Sequence, residues 1–589
     1  MTPMAKMLRF AIFSVLILTA GKAFASGGTC PANSPVQGSN CYFIAANGSD
    51  SNNGTSESTP WLHAPGMPSC TANCAAVTPA AGMGFIFRGG DTWHFGNSGA
   101  SPYTGGEWSM NNWWGTDASC QYEGTHTGCI YWGVDQAWYS GSSWARPILN
   151  ADNPLSTSTV SSCAYQVAPS SQNIIIWAGV DDYIDNFEMT GFCSSRNPAS
   201  GGPSTDEYIM YGGSGVSGSG MLLLANIYFH GWTITSTAGQ SNSTIPCTII
   251  GGGNNGLQSM WNIVVDGSDS DAKTCSWGTF PSFYHFKNSI IRYATQGVGQ
   301  WCHDIHDNIF EYMDGPIWPT HANVLECNAD ADGAAVNQPA GTPNVIYNNI
   351  FRHDDPTVSS NPDLWVCPNS TPEYWFNNLM YDLAGEGWSI AGPAGYSGCP
   401  NSGHQYMFNN TLVDMTQPCS LNTLNNGTNG QFLTVMNEHL INSSFDTLVS
   451  PGCTGRTSAT NIAMSLSTAV SQGYLLSGGG TAQANTCANE GSTPCAPTIA
   501  SNSTTTTGAN QQAYCTTLAS YKSEPAISFE AANACMSGIS GGCSYNTTTH
   551  AMNCPTRGAI KRPATAAWDS GAYQLNGLQA PTNLQGTIP

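Results

Sequence analysis

Charge is scarce in this sequence. Only 9 % of its 589 residues are Asp, Glu, Lys or Arg, and 37 acids stand against 15 Lys and Arg. A chain so poor in cations repels nucleic acid and anionic lipid, so neither is an expected partner. Helical periodicity is nearly absent, and no apolar run beyond the first 25 residues is long enough to span a membrane. No Gly-rich nucleotide loop, no CxxCH haem attachment and no nucleophile elbow occurs; "WCH" around Cys302 lacks the first cysteine of the haem motif. Zinc-site spacing is missing too. "CTANC" has no matching second pair, and no cysteine pair is followed by two histidines at finger spacing.

What is present begins with a sorting signal. Lys6 and Arg9, the run "FAIFSVLILTA" and "AFA" ending at Ala25 have the layout of a signal peptide over residues 1–25, which predicts a secreted protein: extracellular, cell-surface or periplasmic. Without the leader, 12 basic residues face 37 acidic ones, a net charge of −25. All 22 cysteines follow the cleavage point, an even number in an oxidising compartment. Many lie close in sequence: Cys30/Cys41, Cys70/Cys74, Cys120/Cys129, Cys163/Cys193, Cys247/Cys275, Cys302/Cys327, Cys487/Cys495 and Cys543/Cys554. Short disulfides pinning successive loops are the natural reading.

A short unit then repeats. "NNIFRHDD" at Asn348 has echoes in "KNSIIRYA", "DNIFEYMD", "FNNLMYDL" and "FNNTLVDM". Aligned on the Asn-containing pair, the units fall at Asp185-Asn186, Ala225-Asn226, Trp261-Asn262, Asn288-Ser289, Asp307-Asn308, Ala322-Asn323, Asn348-Asn349, Asn377-Asn378 and Asn409-Asn410, 15 to 40 residues apart. A fixed β-rich unit at irregular spacing is the signature of a solenoid with loops of different length on each turn. Asn at the bend between two strands tolerates the left-handed conformation, and its amide can bond the Asn of the next coil. The apolar residues after it are expected to point into the stacked core. The 65 Gly fit a coil that turns every few residues. This pattern predicts an all-β fold, a right-handed parallel β-helix, rather than a sandwich with strict alternation and hairpin turns.

The two ends carry a resemblance. "YFIAANGSDSNNGTSESTPW" from Tyr42, followed by "GMGFIFRGGDTW" from Gly82, resembles the opening of secreted proteins of the pectin-lyase-like, right-handed β-helix superfamily. "RPATAAWDSGAYQ" from Arg562 is similar to the closing signature of many such bacterial proteins, and is expected to form the final coil. The resemblance implies the fold for most of the chain and leaves lyase, hydrolase and non-catalytic roles open. The division is 1–25 signal peptide, 26–155 opening segment and first coils with a Trp-rich insertion, 156–450 central coils, 451–576 C-terminal coils with a partly helical segment broken at Pro525, and 577–589 tail or linker.

Chemistry has several candidate seats. Arg292, Glu311, Glu326 and Arg352 follow the apolar pairs, with Tyr312 and His353 one residue on; equivalent positions on successive coils lie about 4.8 Å apart. They read either as charge ladders, Arg292–Glu311 and Glu326–Arg352, on a solvated face or as a catalytic groove in which Glu311 pairs with Glu326 or Asp354 for glycoside hydrolysis. The "GHG" triplet of β-helix polygalacturonases is absent, and "IKR" at Ile560 lies outside the central coils. A polysaccharide lyase needs a base and a group that neutralises a uronate carboxylate. Lys287 or Arg292 would serve, with Asp266, Asp269 and Asp271 of "VDGSDSDAK" holding Ca²⁺; this matches the residue types, not the full motif, of calcium-dependent β-helix lyases. The densest titratable stretch holds His303, Asp304, His306, Asp307, Glu311, Asp314, His321 and Glu326. Trp132, Trp138 and Trp301, with His306 and Tyr312, are candidate sugar-binding residues, though the aromatic run from Trp108 to Trp144 suits packing at a solenoid end equally well. The expectation is a polysaccharide-active protein, a lyase ahead of a hydrolase, with a non-catalytic structural or carbohydrate-binding protein as the alternative.

Overall fold

A computed structural model describes residues 27–575. Residues 1–26 and 576–589 lie outside the description, as do most inter-coil loops (195–207, 213–220, 236–246, 314–322, 329–342, 354–362, 391–403, 414–432, 444–456 and 476–496) and several shorter breaks. The proposed signal peptide and the tail therefore fall outside the described residues, together with Lys273, Asp314, His321, Asp354 and the Cys487/Cys495 pair.

The chain winds into coils, each giving one strand to each wall of a solenoid. One wall is a 13-stranded parallel sheet that opens with Cys41–Ile44 and closes with Thr457–Ala459; a second is a 12-stranded parallel sheet from Thr92–His94 to Ile462–Met464. Parallel sheets of five and four strands make up the third wall. Parallel neighbours joined by crossovers of this kind wind right-handed. The described coils of these two walls run to Met464.

The Asn pair builds the corner between the first and second sheets, and its two residues do different work. The left-handed residue is the second of the pair in the three upstream units, Asn186, Asn226 and Asn262, and the first in the others, Asn288, Asp307, Asn348, Asn377 and Asn409; with Asn437 one coil further, all have φ between 52° and 65°. The residue after it points inward. From Asn308 onward these side chains form a ladder in which Asn308 Nδ2 donates to Asn349 Oδ1 (3.1 Å), Asn349 Nδ2 to Asn378 Oδ1 (3.1 Å), Asn378 Nδ2 to Asn410 Oδ1 (2.9 Å) and Asn410 Nδ2 to Glu438 Oε1 (3.0 Å). Upstream, the same position is apolar: Phe187, Ile227 and Ile263, all fully buried. Ala322-Asn323 is not a corner. Asn323 starts a third-wall strand, Asn323–Asn328.

The apolar pair after each corner also divides. Ile291, Phe310, Phe351 and Met380 join the interior of the coil. Ile290, Ile309, Ile350 and Leu379 point outward, and are buried there by residues such as Tyr474, Leu475, Ile539 and Ala572. Both faces of the second sheet are covered, which is why its strands read "IIR", "IFE" and "IFR" instead of alternating.

That cover is the C-terminal segment, which folds back as a strap along the outside of the corner. Its helices Gln512–Ser520 and Glu530–Cys535, joined by Cys515–Cys535, close over outward Val345, Tyr347, Tyr374, Phe376 and Phe408 of the first sheet. Its hairpin, strands Ser544–Asn546 and Ala551–Asn553, reaches back to Asp266 and Tyr228. Corner amides hold the strap's backbone: Asn377 Nδ2 donates to Ser537 O (2.8 Å), Asn409 Nδ2 to Asp569 O (2.7 Å) and Asn437 Nδ2 to Ala509 O (2.8 Å).

"RPATAAWDSGAYQ" is therefore a clasp on the outer surface and not a final coil. Buried Arg562 donates to Asn377 Oδ1 (2.8 Å) and lies 5.1 Å from the Trp568 ring. Asp569 accepts from Thr506 N and Leu575 N, both at 2.7 Å. Gly571 has φ +93°, and a Cβ there would sit 2.8 Å from His439 Cβ and Thr411 Oγ1, so only glycine fits.

At the other end, tryptophans fill the coil. Trp61, Trp93, Trp108 and Trp132 are fully buried, with Trp132 stacked on Phe85 at 4.2 Å. Trp108 and Trp132 of the aromatic run are packing here, while Tyr139 of the same run is exposed. Five of the expected disulfides form, Cys30–Cys41, Cys70–Cys74, Cys120–Cys129, Cys163–Cys193 and Cys543–Cys554; Cys247 and Cys275 are register partners in adjacent parallel strands.

Candidate functional site

Strand register decides which side chains meet. On the outer face of the first sheet, one column runs Ala225, Trp261, Lys287, His306, Tyr347, Phe376; the next runs Leu223, Ser259, His285, Asp304, Val345. Upstream, the column is covered by the N-terminal loops, where His126 stacks on Trp261 and meets Tyr183 at a tilt. Downstream it disappears under the strap helices. Between the two covers sits Lys287, partly exposed, over a group of titratable residues.

Within that group, His306 Nδ1 lies 2.8 Å from Asp307 Oδ2, and its Nε2 lies 4.0 Å from Asp304 Oδ1 and 3.5 Å from Glu530 Oε2. The ring stacks on Tyr347 at 4.6 Å. Glu530 Oε1 accepts from Lys287 Nζ at 3.3 Å, so one carboxylate bridges two cations on adjacent rungs. Burial opposes charge on His306, but Asp304, Asp307 and Glu530 outweigh it and raise its pKa. His285 is the reverse case: burial lowers its pKa despite Asp304 Oδ2 at 3.2 Å from Nδ1, leaving a neutral ring oriented by a carboxylate. An imidazole whose pKa is raised and an ammonium, beside a carboxylate-oriented imidazole whose pKa is lowered, can hold an anion and accept a proton next to it.

The second sheet collects the other predicted residues. His230, Asp266, Arg292, Glu311, Arg352 and Tyr381 stand in register. Arg292 is 3.6 Å from Asp266 and 3.1 Å from Glu311, whose other oxygen accepts from Arg352 Nε at 2.8 Å. The Arg292–Glu311 rung is as expected. The face is not solvated, however: Asp266, Arg292, Glu311 and Arg352 are buried, and Tyr545 of the strap hairpin donates to Asp266 Oδ2 at 2.8 Å. Glu326 takes no part in this column. It lies in the third wall, in register with Gly299 and Trp365. Tyr312 and His353 extend a stack from Tyr293 at 4.7 and 5.3 Å, each at a left-handed corner.

The three aspartates expected to hold Ca²⁺ do not fit a shared ion. Asp266 serves Arg292 and Tyr545, Asp269 accepts from Gly231 N (3.0 Å) and meets His230 Nδ1 (2.7 Å), and Asp271 accepts from Thr159 Oγ1 (3.0 Å). Among the described residues no three His, Cys, Asp or Glu side chains converge as a metal site. His230 also meets Glu188 at 3.1 Å; burial opposes its charge, yet Asp269 and Glu188 push its pKa up to about 9.

Of the sugar-binding candidates, Trp132 faces the interior at 0 % exposure and donates to Asp182, so solvent-borne sugar cannot reach it. It lies on the inward phase of its strand. Trp138 packs edge-on against Phe43 at the N-terminal cover. Trp301 belongs to the strand Trp301–His306. His303 points inward and heads a buried file with Asn344, Glu373 and Gln405, where burial drops its pKa to about 4 and raises that of Glu373 to about 7. Sequence reasoning missed His285 and Glu530. His285 was within reach, two residues from Lys287 and so on the same strand face; Glu530 lies 243 residues away with no local signal.

No family model and no curated protein matches this sequence. Among solved structures, it is similar to pectate lyase Pel9A at 13 % identity and a TM-score of 0.38, over 91 % of this chain and 96 % of that one. It is also similar to the GH136 lacto-N-biosidase from Eubacterium ramulus at 10 % identity and a TM-score of 0.34, over 72 % of this chain and 68 % of that one. Such distant likenesses carry no argument about chemistry; the register of the walls carries the fold. The chain is a right-handed parallel β-helix protein.

Proposed function

We propose that this protein acts on an acidic polysaccharide by β-elimination at the outer face of the first sheet. The observation that supports this reading is the pair Lys287 and His306 on adjacent rungs, with His285 two residues from Lys287 on the same strand face. Lys287 and His306, whose pKa its carboxylate neighbours raise, neutralise the carboxylate of a uronate, which acidifies the adjacent C–H. His285, oriented by Asp304 but 1 % exposed in this closed arrangement, accepts that proton once the site has opened, as the glycosidic oxygen leaves from the neighbouring carbon. The buried Arg292–Glu311–Arg352 ladder supports the wall beneath the strap hairpin.

The test is a polysaccharide panel read for unsaturated uronate absorbance near 235 nm and for reducing ends, with and without a chelator. Absorbance that appears with the parent protein, survives the chelator and falls at least about 100-fold in His285→Ala and Lys287→Ala supports β-elimination with these groups. Reducing ends without absorbance point to hydrolysis. Neither signal across acidic and neutral polymers removes the catalytic reading and leaves a binding or structural role, which the ground-state closure of Lys287 and His306 by Glu530 favours.

A further inference from the structure

The geometry points to Glu530 as a built-in stand-in for the ligand: its carboxylate occupies the Lys287–His306 pair and must swing away before a carboxylate-bearing sugar can bind there. This rests on the reading that the pair is the sugar-binding site, and adds a selectivity gate carried by the strap.

Four observations carry it. Both oxygens of Glu530 are committed to the pair, Oε1 to Lys287 Nζ at 3.3 Å and Oε2 to His306 Nε2 at 3.5 Å, as a bound carboxylate would be. Exposure is inverted relative to an ordinary surface ion pair: the carboxylate side chain is 49 % exposed while its partners are 17 % and 3 % exposed. The anion is therefore the outermost member and the cations lie behind it. Glu530 is also the first residue of its helix, whose body is fixed by buried Ala531, by the Cys515–Cys535 disulfide and by Asn377 Nδ2 donating to Ala534 O at 3.1 Å. The proposed opening is a rotation of this side chain about a helix body that stays in place. Finally, the chain's charge is strongly negative, and Asp304 and Asp307 already flank His306. An incoming anion that replaces Glu530 one for one leaves the local charge unchanged, whereas a neutral sugar would leave the pair short of one counter-charge.

A competitor that fills a site most of the time weakens the apparent affinity by the fraction of time the site is open. Removing it with Glu530→Gln, which keeps size and the helix start, is expected to tighten binding of acidic trisaccharides about tenfold. The probes are the trimers of galacturonic, mannuronic and guluronic acid, with xylotriose as the neutral control, titrated calorimetrically into the full-length parent, Glu530→Gln and Lys287→Ala proteins. Tighter binding of a uronide by Glu530→Gln, no binding by Lys287→Ala and no gain for xylotriose support the gate. Unchanged or weaker uronide binding in Glu530→Gln overturns it, and a matching loss of thermal stability then identifies Glu530 as a strap tether. Uronide turnover with an unchanged Kd sinks the gate but leaves the site reading intact. No binding and no turnover by any variant removes both.

Discussion

The same corner is built in two ways along this solenoid. In the upstream coils the residue after the left-handed position is Phe187, Ile227 or Ile263, and the left-handed amides bond sideways: Asn226 to Asp185 at 2.7 Å and Asn262 to Asn226 at 3.0 Å. In the downstream coils that inward residue is Asn308, Asn349, Asn378 or Asn410, and the left-handed amides of Asn377, Asn409 and Asn437 turn outward to the strap. Where the inside of a corner is apolar, its outside needs only its neighbours. Where the inside is a polar ladder, the outside grips another part of the chain. The two columns also differ in cost of failure, because a buried amide cannot lose one partner without stranding another.

Three substitutions sharpen that contrast. Asn349→Ala should have the largest effect. It strands Asn308 N and Nδ2, both bonded to Asn349 Oδ1 at 3.1 Å, and Ile305 O, which accepts from Nδ2 at 2.9 Å. A loss of about 3–5 kcal/mol is expected in urea unfolding, while Ile263→Val at the apolar corner should cost about 1 kcal/mol. Equal losses would erase the distinction between the two corner types.

Next is Glu373→Gln in the interior file of the downstream coils. Burial raises the Glu373 pKa to about 7, above the roughly 4.3 of an unfolded glutamate. A group raised in the fold contributes nothing adverse while protonated in both states, and the parent loses stability as pH climbs from about 4 through 7. The glutamine variant should match the parent near pH 4 and exceed it at pH 8 by on the order of 3 kcal/mol. Parallel stability–pH curves for the two proteins would refute the buried-carboxyl account.

Smallest is Tyr545→Phe, which deletes the strap's hydroxyl contact with Asp266 in the coil where upstream and downstream styles meet. Stability should fall by about 1 kcal/mol, with earlier protease cleavage in the hairpin at 544–553 than in the coils. Cleavage that is unchanged would mean the hairpin owes its seat to its other contacts, the Tyr228–His550 stack at 4.3 Å and Arg292 over the Tyr545 ring at 5.3 Å.

The repeat made the coils legible because the corner between the first and second sheets leaves a local mark: Asn or Asp stands at each one from Asn186 to Asn437. Which apolar residue of "IF" points inward was not legible, since both are buried and only the strap explains the outer one. The Arg292–Glu311 rung followed from counting along the repeat, whereas Glu326 failed because a third-wall strand imitates the corner pair at Ala322-Asn323. At the candidate site, Lys287 and His306 could be placed from register, but Glu530 could not, because strap contacts join residues separated by 243 positions. Long-range packing of that kind has no periodicity to read.

The Arg562–Gln574 clasp sets an order of events during synthesis. Outward Ile350, Leu379, Phe376 and Phe408 are made some 95 to 220 positions before the residues that shield them. Until the last turn of chain arrives, two greasy stripes run along a stack that is otherwise finished. A nearly complete molecule is thus chemically unlike a complete one, and a protein shortened by its final few dozen residues should be sticky before it is loose.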